Sequence, residues 1–181
     1  MADCFDSVHV ETVNHCPNDA TVGGLSVELF YIPEAHVEVF TKPVLTDAST
    51  YAERMTLTAI TPVALKGFKR LSVMIDENEL SNLIVGNKGN KKPKVELDVM
   101  IPNFKKENIG FTVAHKNTPM IYAIKDSTGQ FWVIGTPDGP AYFETADAKT
   151  GKKYEDNSGI TMKISANAQL WAFAGPIVEL A

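Results

Sequence analysis

Two apolar runs separated by a short polar segment dominate residues 120–135, which read MIYAIKDSTGQFWVIG. The runs cover residues 120–124 and 130–134 and are rich in Ile, Tyr, Phe, Trp and Val, which suit a pleated surface. Between them, Asp126 can bond to its own backbone and Gly129 can supply the positive φ that a tight turn needs. The pattern therefore predicts a β-hairpin.

Both faces of this hairpin are apolar. Tyr122 and Ile124 point to one face, whereas Ile121 and Ala123 point to the other. A strand pair with two apolar faces is covered on both faces. One cover is the protein's own core, and the second is a helix, another sheet or another copy of the chain.

Shorter stretches of alternating apolar and polar residues, bounded by Pro and Gly, predict further strands. They lie at residues 25–32, 36–41, 54–60, 68–76, 94–101, 141–144, 160–166 and 169–174. Turn signals recur about every 8–12 residues, a spacing typical of sandwiches and barrels. The sequence thus predicts a mainly β fold, a sandwich or barrel of about ten short strands.

One helix is predicted at residues 103–116, flanking the strands. Asn103 can cap it, and Ile109 and Val113 stand one turn apart. Two polar stretches, residues 77–93 and 145–159, are predicted to be long solvated loops. Within the first of these, residues 79–85 could instead form one helical turn.

Composition and charge narrow the choice of function. The chain has 181 residues and a net charge of −5, which disfavours a general phosphate-binding surface. It contains no apolar stretch long enough to span a membrane, and its first residues lack the basic and apolar regions of a signal peptide. We expect a cytosolic product with a polar arm at residues 1–24 and one β-rich domain at 25–181 that ends in a short tail.

Four residues near the N-terminus have side chains that zinc accepts: Cys4, His9, His15 and Cys16. Their spacing contains neither CxxC nor HxxxH, so we interpret them as incidental residues of the arm. We expect no disulfide between the two cysteines in a reducing compartment. No metal site and no cofactor is predicted.

No catalytic constellation is evident. The chain lacks GxSxG, and His36 and His115 fall where surface histidines are common, so no catalytic residue and no enzyme is predicted. The GNKGNKK stretch at residues 86–92 lacks the GxxxxGK[ST] pattern of a phosphate-binding loop. Trp132 and Trp171 lie in apolar strands, where they serve more often as core or interface anchors than as platforms for bases.

Three segments together resemble a known group of proteins. They are a YIPE phrase at residues 31–34, IYAIKDSTGQFWVIGTPDGPAYF at 121–143 after the predicted helix, and GKKYEDNSGITMKISA at 151–166. The order is similar to that of virion structural proteins of tailed phages and prophages of the Bacteroidetes, and most similar to tail tube proteins. The likeness extends over roughly residues 25–174 and is best at 121–140.

The resemblance implies a β-barrel or sandwich flanked by a helix, stacked as hexameric rings into the tube through which DNA is ejected. It implies as partners other copies of the chain and other virion tail proteins, with DNA passing without specific binding and no membrane. The protein would assemble in the host bacterial cytoplasm and end in the virion tail.

Five residues are candidates for the self-assembly interface. Tyr122, Trp132 and Ile134 belong to the doubly apolar hairpin, and Lys88 and Lys91 belong to the predicted loop before the 94–101 strand. Two other functions remain open at this point. A head-completion or decoration protein of the virion would share these features, and a ligand- or carbohydrate-binding β-sandwich would also carry Trp and Tyr on its strands.

Overall fold

The computed structural model describes residues 11–12, 23–46, 49–153 and 156–180. Most of the predicted arm at residues 1–24 lies outside these ranges. The described residues form a mainly β fold, as predicted, with two α-helices, α1 (Tyr51–Met55) and α2 (Lys106–His115), and a 3₁₀ turn at Glu34–His36. The strands are β1 (Leu25–Pro33), β2 (Val37–Thr41), β3 (Thr56–Leu57), β4 (Ala59–Pro62), β5 (Lys69–Ser72), β6 (Glu79–Val85), β7 (Lys92–Pro102), β8 (Met120–Asp126), β9 (Phe131–Ile134), β10 (Tyr142–Lys149), β11 (Gly159–Ala166) and β12 (Trp171–Phe173).

The strands of the described chain form three sheets. A six-stranded sheet has the order β3-β12-β9-β8-β1-β5, and a four-stranded sheet has the order β10-β11-β7-β6. These two sheets pack face to face as a β-sandwich, and α2 flanks it with Ile109 and Phe111 against the core. A two-stranded sheet, β2-β4, lies on the far side of the six-stranded sheet. Every strand pair is antiparallel except β3 with β12.

The predicted hairpin is β8-β9, with Tyr122 opposite Ile134 and Ile124 opposite Trp132. The Asp126 carboxylate closes its turn by accepting bonds from the backbone N–H groups of Thr128 at 2.9 Å and Gln130 at 3.0 Å. Gly129 has φ +95°, the conformation for which glycine was expected there.

The chain itself covers both faces of this hairpin. Tyr122 and Ile134 belong to the core between the two large sheets, whereas Ile121 and Val133 belong to a second core. The second core is closed by the β2-β4 sheet together with Phe68. The other cover, which sequence alone left open, is therefore another sheet of the same molecule.

Residues 77–93 are not a long loop and contain no helical turn. Residues 79–85 form β6, which pairs with β7 from Glu79 opposite Asp98 to Val85 opposite Lys92. Leu80 packs against the first core, and this contact stabilises the strand. Only residues 86–91, where Gly and Asn collect, remain as the turn between the two strands.

The predicted loop at residues 145–159 is present but shorter than predicted, because β11 begins at Gly159 and β10 continues to Lys149. Its pairing with β11 shifts between Phe143 and Thr145, as at a β-bulge. After the shift, Ala146 and Ala148 lie opposite Met162 and Ile160, on the core-facing side of the sheet, although both remain exposed. Alanine at these positions weakens the apolar signal, so the sequence predicted a strand only at residues 141–144.

Helix α1 was not predicted, and α2 begins later than predicted. Residues 54–60 were expected to be one strand, but the first two of them belong to α1. A capping box formed by Thr50 and Glu53 stabilises the start of this helix. Helix α2 begins at Lys106, and Asn103, the expected cap, has φ +69° and lies outside it. Asn108 instead donates to the carbonyls of Pro102 and Asn103, each at 3.0 Å.

Candidate self-assembly surface

The four-stranded sheet has two open edges in the described part of the chain. Strands β6 and β10 are its outermost strands, and most of their residues are exposed. An unpaired edge presents a row of N–H and C=O groups that can pair with a strand of another chain. These two edges are therefore candidate contact surfaces.

The β6 edge carries exposed apolar side chains. Leu83 is 40% exposed, and the adjacent Ile84 and Val85 are 59% and 42% exposed. Leu83 lies opposite Lys94, on the outer face of the sheet, whereas Ile84 lies opposite Pro93, on the face that continues toward the core. Natural edge strands are usually protected by charges, so an apolar edge of this kind favours a partner.

The β10 edge borders a groove rather than a flat surface. The groove has a volume of about 340 Å³ and lies between α2 and the first half of β10. Its lining comprises Thr112, Val113, Lys116, Phe143, Glu144, Thr145 and Ala146. Phe143 closes its floor by packing edge-to-face against Phe111, with ring centroids 5.7 Å apart.

The outer face of the same sheet is polar and ion-paired. Glu96 accepts hydrogen bonds from Lys94 and Lys163, each at 2.7 Å, and Glu144 lies 3.7 Å from Lys94. The bonds from Lys163 and Lys94 lower the pKa of the Glu96 carboxyl, and the bond to Glu96 raises the pKa of each lysine. All three groups are therefore charged near neutral pH, and their charges are matched by neighbours.

Two of the five residues predicted at the interface are fully buried in the structure. Tyr122 and Ile134 have no exposed surface and belong to the first core, so neither can touch another copy in this conformation. The opposite apolar face of the hairpin, with Ile121 and Val133, is covered by the second core and not by another copy of the chain.

Trp132 lies at the rim of the sandwich. It is partly buried against the first core, and its indole N–H donates to the Asp126 carboxylate at 2.8 Å. Burial raises the pKa of Asp126, but the bonds from Thr128, Trp132 and the turn backbone outweigh it, so the pKa is lowered overall. A structural role in the hairpin accounts for this contact, and an interface role for Trp132 stays a prediction.

Lys88 and Lys91 lie exposed in the turn between β6 and β7. The turn projects from the end of the sheet at which β6 finishes and β7 starts. Their interface role also stays a prediction, and the turn places them beside the apolar β6 edge.

Little in the described residues points to a chemical site. In the ranges that the structure describes, no group of three or more His, Cys, Asp or Glu side chains is placed to hold a metal ion. The cluster of Cys4, His9, His15 and Cys16 lies outside those ranges. His115, in the last turn of α2, packs against the rings of Phe111 and Tyr31, which also contact each other. None of the described helices has the length and apolar character to cross a membrane.

Sequence reasoning missed β6 and the part of β10 after residue 144, because both stretches read as polar loops. A signal was present in β6, where Leu80 and Ile84 share one face and Leu83 and Val85 the other. In β10, Phe143, Ala146 and Ala148 share a face only after the bulge shifts the alternation.

Comparisons with protein-family models, curated proteins and solved structures found no significant match.

Proposed function

We propose that the protein is a structural virion protein whose copies assemble into stacked hexameric rings, forming the phage tail tube through which DNA is ejected. One observation carries the proposal: the four-stranded antiparallel sheet has two open edges, one of which is apolar. The resemblance of residues 121–143 and 151–166 to tail tube proteins gives the type of assembly.

The topology of the sheet suits a ring. Because four antiparallel strands alternate in direction, β10 and β6 run in opposite directions. A rotation about an axis along the strands brings β10 of one copy beside β6 of the next, and the new pair is again antiparallel. This contact joins two different surfaces of the protein. Successive copies therefore form a closed ring when the rotation from one copy to the next divides a full turn evenly.

Six copies would give a channel of suitable width. A closed sheet of about 24 strands spaced about 4.8 Å apart has a circumference of ~115 Å and a diameter of roughly 37 Å between backbones. Side chains reaching about 5 Å inward leave a lumen of roughly 25 Å, wider than a DNA duplex. Strand tilt would widen it further.

The outer face of the four-stranded sheet would line this channel. Its central lysines, Lys94 and Lys163, are already bonded to Glu96, so their charge is not available for phosphate. Binding to DNA depends on free cations that replace counterions. A lining of paired charges in an acidic protein would let DNA pass without holding it.

The test is the assembly state of the purified full-length protein, by negative-stain electron microscopy and sedimentation velocity. Rings or tubes are expected for the wild type. Leu83→Lys places a charge on the apolar edge and should leave the protein folded but monomeric. Ile75→Lys is the matched control, because Ile75 is 65% exposed and lies in the turn before β6. This variant should assemble like the wild type.

A wild type that stays monomeric at all concentrations would contradict the proposal. Binding of that monomer to capsids would then favour a decoration or head-completion protein. Binding of a sugar by a small species would favour a ligand-binding module.

A further inference from the structure

One row of core-facing residues crosses the whole four-stranded sheet at a single level. From edge to edge the row comprises Leu80, Leu97, Ile164 and Phe143, each lying opposite the next. The two in the middle have no exposed surface, whereas Leu80 on β6 and Phe143 on β10 are only partly buried. The first core therefore reaches both edges of the sheet at the same level.

A cleft opens between the two large sheets at the β6 end of this row. It has a volume of about 370 Å³, and its apolar lining comprises Leu25, Leu80, Trp132 and Leu170. Glu79, an exposed residue at the start of β6, also lines it. This edge of the sandwich thus offers an apolar recess with a carboxylate beside it.

Helix α2 presents an apolar side chain to the surface at the β10 end of the row. Val113 lines the groove beside Phe143 and is 61% exposed. Lys116, three residues further along the chain, lines the same groove and is also exposed. One edge therefore has a recess with a negative charge, and the other has an exposed apolar side chain with a positive charge.

We propose that Val113 on α2 of one copy packs into the cleft beside Trp132 of the next copy in the ring. This inference rests on the proposed function and identifies the side-chain contact that accompanies the pairing of β10 with β6. Pairing at the common level places Phe143 of one copy beside Leu80 of the next, both on the core-facing side. The first cores of the two copies then become continuous, and α2 covers the junction between them.

Charge supports a second copy as the occupant of the cleft. Pairing at this level brings Lys116 of one copy toward Glu79 of the next, because Lys116 lines the groove and Glu79 lines the cleft. Both side chains are exposed and can reach a partner. Opposite charges that meet at an interface fix its register and disfavour wrong partners.

The first test places a charge on the apolar side chain that enters the cleft. Val113→Glu should not form rings at concentrations where the wild type does, because it would bury a carboxylate in an apolar recess beside Glu79. Ala114→Glu is the matched control, since Ala114 is the next residue of α2 and is exposed but does not line the groove. Both variants should melt like the wild type, because both positions are exposed. Sedimentation velocity and negative-stain electron microscopy measure assembly.

The second test exchanges the two charges and gives the decisive result. Glu79→Lys or Lys116→Glu alone puts like charges together at every contact, and each should raise the concentration needed for assembly about tenfold or more. A chain with both substitutions has an opposite pair at every contact again. It should therefore assemble at close to the wild-type concentration.

The other outcomes separate the two proposals. If the wild type forms rings and Val113→Glu forms them equally well, the cleft receives something other than α2 of a second copy, and the ring function stands. If the doubly substituted chain assembles no better than the single variants, the contact is likewise wrong. If the wild type itself never assembles, the proposed function fails, and the contact in the cleft fails with it.

Discussion

Replacing Tyr122 by Phe should stabilise the protein, although Tyr122 is among the most deeply buried residues of the described chain. Its hydroxyl is buried and has no hydrogen-bond partner among the described residues. Burial, with a smaller contribution from Tyr31, raises the pKa of this hydroxyl. The hydroxyl therefore stays protonated and neutral, and it is a hydrogen-bond donor removed from solvent.

The magnitude follows from what the substitution removes. A buried polar group without a partner costs about 1–3 kcal/mol of folding free energy. Deleting one oxygen leaves a small void, for which ~0.3 kcal/mol is a fair cost at about 24 cal/mol per Å³. The net expected gain is about 1–2 kcal/mol, or a rise in Tm of roughly 2–8 °C for a chain of this size.

The assay is equilibrium unfolding in urea, followed by far-UV circular dichroism, at a concentration where the protein is monomeric. The midpoint should move up with an unchanged slope. Tyr142→Phe is the matched control, since Tyr142 is 44% exposed and should change stability by no more than about 0.5 kcal/mol. A loss of 1 kcal/mol or more for Tyr122→Phe would refute the reasoning, because it would mean that the hydroxyl is bonded in the folded protein.

Two further predictions concern the hairpin and the turn after it. Asp126→Ala should cost about 1–3 kcal/mol at pH 7, since the carboxylate accepts charge-assisted bonds. Because the pKa of Asp126 is lowered in the folded protein, its carboxylate stabilises the fold fully only above the unfolded-state pKa near 3.9. The difference in unfolding free energy between the variant and the wild type should therefore shrink as the pH falls below about 4. A difference that does not depend on pH would contradict this reasoning. Gly135→Ala should cost more than about 1 kcal/mol, because φ is +86° and a Cβ would lie 2.8 Å from the Ala141 nitrogen and 2.9 Å from the Met120 oxygen. Gly89→Ala is the matched control, because Gly89 has a similar φ of +82° but open space around it. Thermal melting should show a smaller loss of stability for Gly89→Ala than for Gly135→Ala, and the difference measures the steric clash at Gly135. Equal losses would show that there is no clash.

The parts of the fold that sequence predicted are those with strong local signals. The β8-β9 hairpin was predicted because Asp126 and Gly129 define its turn, and β7 because its alternation is regular. Strand β10 was predicted only as far as residue 144, because a bulge and two alanines obscure its later periodicity. Such features depend on a partner strand that is distant in sequence.

The candidate site shows the same limit. Alternation in β8 indicated two covered faces but not what covers them, because Phe68 and the β2-β4 sheet come from a remote part of the chain. Tyr122 and Ile134 were therefore placed at an interface when they lie in the core. The open edges of β6 and β10 can be recognised only when the order of strands in the sheet is known.

The order of strands also bears on the timing of the proposed assembly during synthesis of the chain. Strand β12, at Trp171–Phe173, lies between β3 and β9, so β3 has no partner in the sheet until a segment more than 100 residues later in the chain has been made. The four-stranded sheet likewise is incomplete until β11 has emerged from the ribosome at Ala166. A nascent chain that still lacks β11 has no partner strand for β10 and so has no finished β10 edge to present to its neighbours on the same messenger RNA. In the proposed ring-forming protein, this delay would hold back pairing between nascent chains and limit their aggregation on the polysome.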